Sequence, residues 1–556
     1  MYRLSCSVAV LLTVLGTLLP AGAVEAGLFD RSHPVNAARE YPQVPAPNRL
    51  TLDVNIGRVE SRIDRRIFGT NLEWFNEAGG LASANRERRD SIVRLSRELG
   101  PVVYRFPGGI LADYYDWRDG LGPLINRKVT RHPTDSGASA HLFGSPEYFR
   151  FLQDTGGEAL ITVNAGTGSA ADAAAWVDFA NNPNNARRAK EGFASPIGVK
   201  LWEVGNELYL PGNPTEKKIA VTPEVYSARF IEFADAMRAA DPSITVIAIG
   251  VAKSHIGPDT EYPDWTEKLL KAAADRIDMI AVHNAYFPML YKAKQAPVDV
   301  VYPALWASPE AVDESLKTLD RLIARYEGKR NIGVAITEWG ALYTIPRADP
   351  YWVDHVKTMG SGVYTARMLQ VFMSHPRVRL ANHFKLVDRS YMGIIDQNGQ
   401  AKVPYEILKL YSRHTGDQRV ESRLSPPMSY DAAAIGVMKA QQNVAEVTAI
   451  ASRDSKSGRV FVNLVNRSMS RVYSVDLKLQ GARAARTGEI LSISAPEPTA
   501  HNGRDIPREW PYKPEFEPYS SVPAGSIAIR SKPWSPGTAL TIPPFSVLTL
   551  ALDVDN

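Results

Sequence analysis

The chain has 556 residues, of which 44% are hydrophobic, so it is long enough to bury a sizeable core and to form more than one domain. Charged residues make up 22% of the chain and the formal net charge is only +4, so no strong field of one sign surrounds it. Nucleic acid is therefore not an expected partner.

The first 26 residues have the pattern of a secretory signal peptide, with Arg3 at the positive end and an apolar run at residues 8–19. This run is too short to cross a bilayer comfortably. An uncleaved membrane anchor is the less favoured alternative, and no stable membrane insertion is expected after cleavage. The sequence thus predicts a secreted or periplasmic protein. The single cysteine, Cys6, lies in the same segment, so the processed chain would have no disulfide and no thiolate metal site.

Residues 27–48 are rich in Pro, Ala and Asn and predict a linker or an extended arm. The run LTLDVNI follows at residues 50–56 and alternates apolar with polar positions. Similar runs occur only near the other end of the chain. We therefore predict that residues 49–62 contribute a strand to a C-terminal β-sandwich.

Residues 63–412 alternate short apolar runs with amphipathic stretches, which predicts a catalytic (β/α)₈ TIM barrel. The candidate strands are RIFGTNLEW, VVYRFPGG, ALITVNAG, VKLWEVGNE, TVIAIG, MIAVHNAY, GVAITEWG and ANHFKLVD. An open doubly wound sheet would alternate in the same way. That alternative is less favoured because no glycine-rich dinucleotide fingerprint follows the first strand.

The pattern of apolar and polar residues changes after residue 412. Runs such as VTAIASR, GRVFVNLVN and SVLTLALDV alternate with turn residues, and the helical periodicity disappears. Residues 413–556 are therefore predicted to form an antiparallel, jelly-roll-like β-sandwich.

Several predicted barrel strands end in polar residues, and barrel chemistry takes place at these ends. In LWEVGNE, Glu207 falls at the strand's end and is favoured as a chemical group. Glu203 lies four residues deeper, where it would line the barrel or pair with a basic residue such as Arg105. TEWG offers a second carboxylate, Glu338. Two facing carboxylates are the minimum machinery for most glycoside hydrolysis, one as acid and one as nucleophile or base.

Neighbouring residues suit such a site. Asn206 could hydrogen-bond a sugar's 2-hydroxyl, and Arg105 could keep Glu338 ionised by its charge. His283 is interpreted as a hydrogen-bonded pocket residue, because no second histidine or aspartate is suitably spaced for a metal site. Aromatic residues gather near the same strand ends and could pack on sugar rings, although core packing is expected for about half of them. They are Trp74, Tyr114, Tyr115, Trp117, Trp202, Tyr286, Trp339 and Tyr343.

Longer motifs carry a family resemblance. RFPGGILADYYDWRDGLGP (105–123), VNAGTGSAADAAAWVDFAN (163–181), WEVGNELY, ITEWGALY and ANHFKLVD resemble segments of glycoside hydrolase family 51, which consists mainly of α-L-arabinofuranosidases. The resemblance implies Glu207 as acid/base and Glu338 as nucleophile, retention of configuration, and carboxyl groups roughly 5–5.5 Å apart. It also implies no metal or organic cofactor and, since family members are often oligomeric, a homo-oligomer.

The resemblance further implies a set of substrate-binding residues. With the residues argued above, the predicted set is Glu73, Arg105, Asn164, Asn206, His283, Tyr286, Trp339 and Lys385. The sequence departs from the family at two of them. Ala285 stands where an aromatic is expected, with Tyr286 one place later, and Lys385 stands where glutamine is usual. A lysine there could favour an acidic sugar, or it could pair with Asp388 or Glu338.

The sequence therefore predicts a retaining α-L-arabinofuranosidase acting on arabinose-containing polysaccharides or oligosaccharides. One alternative is another glycosidase of the same clan, namely a β-xylosidase, a β-glucuronidase or an endo-glycanase. A non-catalytic carbohydrate-binding barrel is less favoured, because a binding module needs neither Glu207 nor Glu338.

Overall fold

The computed structural model describes residues 48–133, 137–210, 218–253, 261–283, 286–290, 296–341, 355–388, 392–396, 398–481, 485–502, 521–522 and 525–554. The predicted signal peptide and residues 27–47 of the predicted arm lie outside these ranges, and so does Tyr343.

The strands are, in chain order, β1 (Asn48–Arg62), β2 (Gly69–Asn71), β3 (Val103–Phe106), β4 (Val129–Arg131), β5 (Ala138–Ala140), β6 (Glu158–Val163), β7 (Leu201–Val204), β8 (Thr245–Ile249), β9 (Met279–Ala281), β10 (Gly333–Trp339), β11 (Val378–His383), β12 (Val387–Asp388), β13 (Ile395–Asp396), β14 (Gln418–Ser425), β15 (Ser429–Ala432), β16 (Gln441–Ala445), β17 (Val447–Arg453), β18 (Val460–Asn466), β19 (Tyr473–Gln480), β20 (Ala485–Ile493), β21 (His501–Asn502), β22 (Ser521–Val522), β23 (Arg530–Trp534), β24 (Leu540–Ile542) and β25 (Ser546–Val554).

The α-helices are α1 (Phe75–Ala78), α2 (Arg86–Leu99), α3 (Ser145–Thr155), α4 (Ala170–Asn181), α5 (Ala186–Lys190), α6 (Pro223–Ala240), α7 (Trp265–Ala273), α8 (Val298–Tyr326), α9 (Met359–Ser374) and α10 (Val403–Arg413). Local sequence sets several of their ends. For example, the Thr222 side chain accepts the Val225 N–H at the start of α6, and Pro223 occupies the first helical position. Within the described ranges, we find no helix with both the length and the apolar character needed to cross a membrane.

Eight parallel strands close into a barrel in the order β10-β11-β2-β3-β6-β7-β8-β9. Each of the eight runs predicted from the sequence contributes one of them, so the predicted (β/α)₈ barrel is confirmed and the open doubly wound sheet is excluded. Their residues are almost entirely buried, as is typical of parallel strands covered by helices.

The barrel interior contains an apolar layer near the start of the strands. The inward side chains of this lower layer form one cluster: Val103, Leu160, Leu201, Ile247, Met279, Ala281, Ala335 and Leu380. Because side chains alternate along a strand, the residues two positions further on point into the same interior, nearer the strands' carboxyl ends. These include Arg105, Thr162, Glu203 and Thr337.

The C-terminal strands form a nine-stranded sheet in the order β23-β20-β25-β18-β17-β14-β1-β19-β24. The early strand β1 lies inside it, antiparallel to β14 and parallel to β19. One apolar cluster contains Trp534 from one edge strand and Leu540 and Ile542 from the other. The sheet therefore folds back on itself around a core, as the predicted sandwich requires. We propose that the barrel ends with α10 and that the sheet domain begins before β14, near residue 413.

Helix α9 joins the two parts. The Gln370 side chain donates to the Asn463 carbonyl at 3.1 Å and accepts from the Thr448 hydroxyl at 2.6 Å. Nearby, the buried Arg467 pairs with Glu310 of α8 at 2.6 Å. Buried hydrogen bonds and ion pairs fix the orientation of two packed surfaces, so these contacts hold the sheet domain against the outside of the barrel.

Candidate active site

The loop after β3 passes very close to two carboxylates. A Cβ at Gly109 would lie 2.7 Å from Oε1 of Glu338, and one at Gly108 would lie 2.8 Å from Cγ of Glu73. Gly108 also has φ +130°, which side chains rarely adopt. Glycine at both positions therefore lets the backbone approach the two acids, and a larger residue would displace one of them.

Arg105 organises the centre of the site and is fully buried. Its Nε donates to Glu203 at 2.6 Å, Nη1 to Glu338 at 2.8 Å and Nη2 to the Asn206 side-chain oxygen at 2.9 Å. The sequence predicted the contacts with both glutamates. One guanidinium thus links the ends of strands β3, β7 and β10 and neutralises part of the negative charge of the two glutamates.

Glu203 is buried beneath the chemical groups. It accepts hydrogen bonds from Thr162 at 2.6 Å and from Thr337 at 2.7 Å, in addition to the one from Arg105. Burial raises its pKa, but the Arg105 charge, His283 and the threonine hydroxyl outweigh burial and lower the pKa to about 2. The lowered pKa keeps Glu203 charged at neutral pH, and its contact with Arg105 is one of the two roles considered for it from the sequence.

Glu207 and Glu338 face each other with His283 between them. Each of the three side chains offers one carboxylate oxygen or ring nitrogen, and these three atoms lie within 4.8 Å of one another. Glu207 follows β7 with φ +38° and keeps 24% of its side chain exposed, whereas Glu338 near the end of β10 is buried. The structure thus brings together the two carboxylates that the sequence argument paired.

His283 is buried among the carboxylates of the site. Its Nδ1 lies 3.0 Å from Glu207 and its Nε2 lies 4.0 Å from Glu203. Burial lowers its pKa, but the charge of Glu338 and the nearby carboxylates of Glu203 and Glu207 raise it overall to about 9. The imidazolium therefore places a second cation beside the two carboxylates.

The Glu338 carboxyl has a raised pKa. Burial is the main cause and repulsion from Glu207 adds to it, while His283 and Arg105 act in the opposite direction. Arg105 does donate to Glu338 as predicted, yet it does not offset burial. The raised pKa of Glu338 therefore depends partly on its closeness to the Glu207 carboxylate.

The same geometry bears on metal binding. Glu207, His283 and Glu338 offer ligand atoms close enough to hold an ion. However, an arginine occupies Oε1 of Glu338 and the raised pKa of His283 favours a proton over a metal. The arginine and the raised histidine pKa therefore make this donor set a poor fit to a metal centre.

Glu73 and Lys385 form an ion pair at the edge of the site, and the Lys385 ammonium also lies 3.4 Å from Asp388. Burial would lower the pKa of Lys385, but the charges of Asp388 and Glu73 raise it overall. Of the roles considered for Lys385, pairing with Asp388 is thus observed. The ammonium is already balanced by two carboxylates, which does not support the idea that it favours an acidic sugar.

The two predicted site asparagines, Asn206 and Asn164, both form hydrogen bonds within the protein. Asn206 is buried and hydrogen-bonded to Arg105. The Asn164 side-chain oxygen accepts the Thr167 and Gly168 N–H groups of its own loop at 2.8 and 3.0 Å, and its nitrogen donates to the Tyr115 carbonyl at 3.3 Å. The same residue borders a cavity of about 170 Å³ beside the strand ends.

Two predicted substrate-binding aromatics do not reach the site. Tyr286 is fully buried with its hydroxyl beside Ser315 of α8. Trp339 is fully buried and packs edge-on against Phe372 and His383. Both point into the shell between barrel and helices, where burial of a large ring is most favourable. Four other aromatic residues from the eight predicted near the strand ends are also buried, namely Trp74, Tyr115, Trp117 and Trp202. Core packing therefore explains more than the expected half of the eight.

Sequence reasoning missed Asp113. It is fully buried after β3, and its carboxylate accepts the backbone N–H groups of Ala165, Gly166 and Asn206 at 3.0, 2.9 and 2.8 Å. Its position within the long motif at 105–123 was a signal, since an aspartate among apolar and aromatic residues needs partners when buried.

The chain is similar in sequence to known α-L-arabinofuranosidases. Residues 95–286 match the family model described as "Alpha-L-arabinofuranosidase 1 domain". An intracellular exo-α-(1→5)-L-arabinofuranosidase of Streptomyces lividans is 26% identical over 82% of this chain and 69% of its own length. An exo-α-(1→6)-L-arabinofuranosidase of Bifidobacterium longum is 24% identical over 85% of this chain and 93% of its own length.

Solved structures show the same fold. The α-L-arabinofuranosidase of Thermotoga maritima, in complex with arabinose, superposes with a TM-score of 0.76 at 22% identity, covering 90% of this chain and 99% of that one.

The predicted secreted or periplasmic location is wrong by these comparisons. The Streptomyces relative and several others are named intracellular enzymes. The prediction depended on a short apolar run and one arginine, a compositional pattern that can arise without an export function.

Proposed function

We infer that this chain belongs to glycoside hydrolase family 51 and is a retaining α-L-arabinofuranosidase, which releases arabinofuranosyl residues from arabinose-containing saccharides. The observation that carries this inference is the approach of Glu207 and Glu338 to within 4.8 Å, a separation typical of retaining enzymes. The printed names of the relatives support the arabinofuranoside substrate.

In the first step, the ionised Glu338 attacks the anomeric carbon, and the bond from that carbon to the glycosidic oxygen breaks. Glu207 donates its proton to the departing oxygen, so the leaving group departs as a neutral alcohol and the sugar remains esterified to Glu338. In the second step, Glu207 removes a proton from water, whose oxygen attacks the same carbon and releases Glu338 as a carboxylate. Two inversions give net retention.

The surrounding charges suit this sequence. Arg105 and the His283 imidazolium stabilise the negative charge on Glu338 before attack and after release. Glu203 holds both cations in place from below, since it contacts Arg105 at 2.6 Å and lies 4.0 Å from His283. The catalytic carboxylates are thus positioned by a buried network that does not itself react.

We further propose that Glu73, held by Lys385, accepts hydrogen bonds from sugar hydroxyls, and that Asn206 contacts the 2-hydroxyl. An exo mode of action is proposed from the relatives, which are named exo-enzymes. Assembly as a homo-oligomer stays a prediction.

The alternatives are less well supported. The relatives are named arabinofuranosidases rather than xylosidases, glucuronidases or endo-glycanases. A carbohydrate-binding barrel without activity would not need two carboxylates at this separation.

A panel of nitrophenyl glycosides tests the proposal. We expect the α-L-arabinofuranoside to be hydrolysed much faster than the β-xyloside or the β-glucuronide. Glu338→Ala should lower kcat on the order of 10⁴-fold or more, because no other group can form the covalent intermediate. Preference for another glycoside would overturn the substrate assignment, and an active Glu338→Ala enzyme would overturn the mechanism.

A further inference from the structure

Three strand-end loops meet at one buried carboxylate. Asp113 lies in the short 3₁₀ turn Ala112–Tyr114 after β3 and is fully buried. Its Oδ1 accepts the N–H groups of Ala165 and Gly166, which follow β6, and its Oδ2 accepts the N–H of Asn206, which follows β7. A single side chain therefore ties together the loops after three adjacent barrel strands.

The turn that Asp113 holds contains the proposed acid/base. Gly205 has φ +81° and Glu207 has φ +38°, so Asn206 lies between two residues in the left-handed region. A non-glycine residue in this region is strained and persists only when its surroundings fix it. The Asn206 side chain is fixed by Arg105 at 2.9 Å, and its backbone N–H is fixed by Asp113 at 2.8 Å.

We propose that Asp113 is a positioning residue for the reaction, which places Glu207 against the glycosidic oxygen by fixing the backbone at Asn206. This inference rests on the proposed function and adds to it a group that does not touch the substrate.

The chemistry of the contact requires a carboxylate. All three partners are backbone donors, and an ionised aspartate is an acceptor at both oxygens. Burial raises the pKa of Asp113 to about 7, even though the three N–H groups favour its charged form. An asparagine has the same shape, but its amide nitrogen would face a donor, so either the Asn206 N–H or the Ala165 and Gly166 pair would lose its acceptor.

The test compares Asp113→Asn with the wild type on two arabinofuranosides, one with an activated nitrophenyl leaving group and one with a poor alkyl leaving group. We expect a loss of about 10- to 100-fold in kcat/KM on the poor leaving group, with little change on the activated one, because only the former needs a well-placed proton donor. Azide should accelerate turnover of the activated substrate by the variant, because azide attacks the glycosyl-enzyme without a general base.

Asp278→Asn is the matched control. The Asp278 carboxylate accepts the Val246 N–H at 2.8 Å and pairs with two arginines, but it lies at the opposite mouth of the barrel, just before β9. This variant should lower the melting temperature without leaving-group selectivity or an azide effect.

If Asp113→Asn does not fold, Asp113→Ser keeps an oxygen acceptor and leaves room for water, and the same selective loss is expected. Equal losses on both substrates, no azide effect, or failure of both variants to fold would overturn the positioning role. These outcomes are separate from failure of the proposed function, which would already appear as an inactive wild type or an active Glu338→Ala enzyme.

Discussion

The interior of the barrel has two layers that come from the same strands but differ in chemistry. The lower layer is wholly apolar, from Val103 and Leu160 to Leu380. The layer above it contains Arg105 and Glu203 with the hydroxyls of Thr162 and Thr337, all buried and hydrogen-bonded to one another. Inward-facing positions two residues apart thus perform different tasks.

The comparison separates stability from activity. Apolar burial in the lower layer stabilises the fold directly. A buried ion pair loses hydration and often contributes no more than apolar side chains of the same volume would. The upper layer is therefore best explained by the charges that it supplies to Glu338 and His283, and not by its contribution to folding.

The largest effect on activity is expected at Glu207, which lies at the open edge of the upper layer. Glu207→Ala should lower kcat/KM by about 10²- to 10⁴-fold on arabinofuranosides with poor leaving groups, and much less on activated ones, because only the former need protonation. Steady-state kinetics on the two substrate types measure the difference. Leu160→Ala in the lower layer serves as the contrast, since it should lower stability without this selectivity. Equal losses on both substrates would contradict the acid/base role.

Converting the upper layer into a copy of the lower one is the next test. Arg105→Met should destabilise the protein by about 3–5 kcal/mol, because it removes the cation that contacts the buried Glu203 directly. The double variant Arg105→Met/Glu203→Leu should recover much of that stability while remaining inactive. Denaturant unfolding and activity assays measure the two properties separately. A double variant as unstable as the single one would mean that the ion pair itself stabilises the fold.

The sequence predicted much of this arrangement, and the reasons for its failures are local. Strand periodicity identified the barrel and the inward direction of Glu203, and the charge of Arg105 identified its partners. Strand periodicity did not predict the direction of the Trp339 side chain, because the β10–β11 register is irregular between Ile336 and Trp339. Thr337 and Glu338 are adjacent, yet both contact the interior network, and Trp339 turns outward.

Asp113 and the threonines illustrate a second limit. Nothing in the local pattern around Thr162 distinguishes it from any strand threonine, and its role depends on Glu203, which is distant in sequence. Contacts between strands follow from closure of the barrel and its register, which short runs of sequence do not specify.

The positive charge of His283 should make the protein less stable at alkaline pH. The pKa of His283 is raised to about 9 in the folded protein, above its usual value near 6.5. Its contribution to stability is therefore fully present below about pH 6.5 and is lost as the pH rises through about 9. Melting temperatures between pH 6 and 10 should fall more steeply for the wild type than for His283→Gln. Parallel curves for the two proteins would show that His283 is not charged in the folded state.

The smallest effect is expected at the rim, where Lys385 pairs with Glu73 and Asp388. Lys385→Met should raise KM for the arabinofuranoside about 10-fold with little change in kcat, because a less firmly held Glu73 binds the substrate and the transition state equally less well. Lys409→Met is the matched control, since Lys409 pairs with Glu98 at 2.8 Å on helix α2, outside the barrel interior. If Lys385 instead selected acidic sugars, its removal would abolish a measurable β-glucuronidase activity of the wild type. An unchanged KM would show that Glu73 is not one of the sugar-binding groups. The residues around Arg105 would then be the functional part of the upper layer.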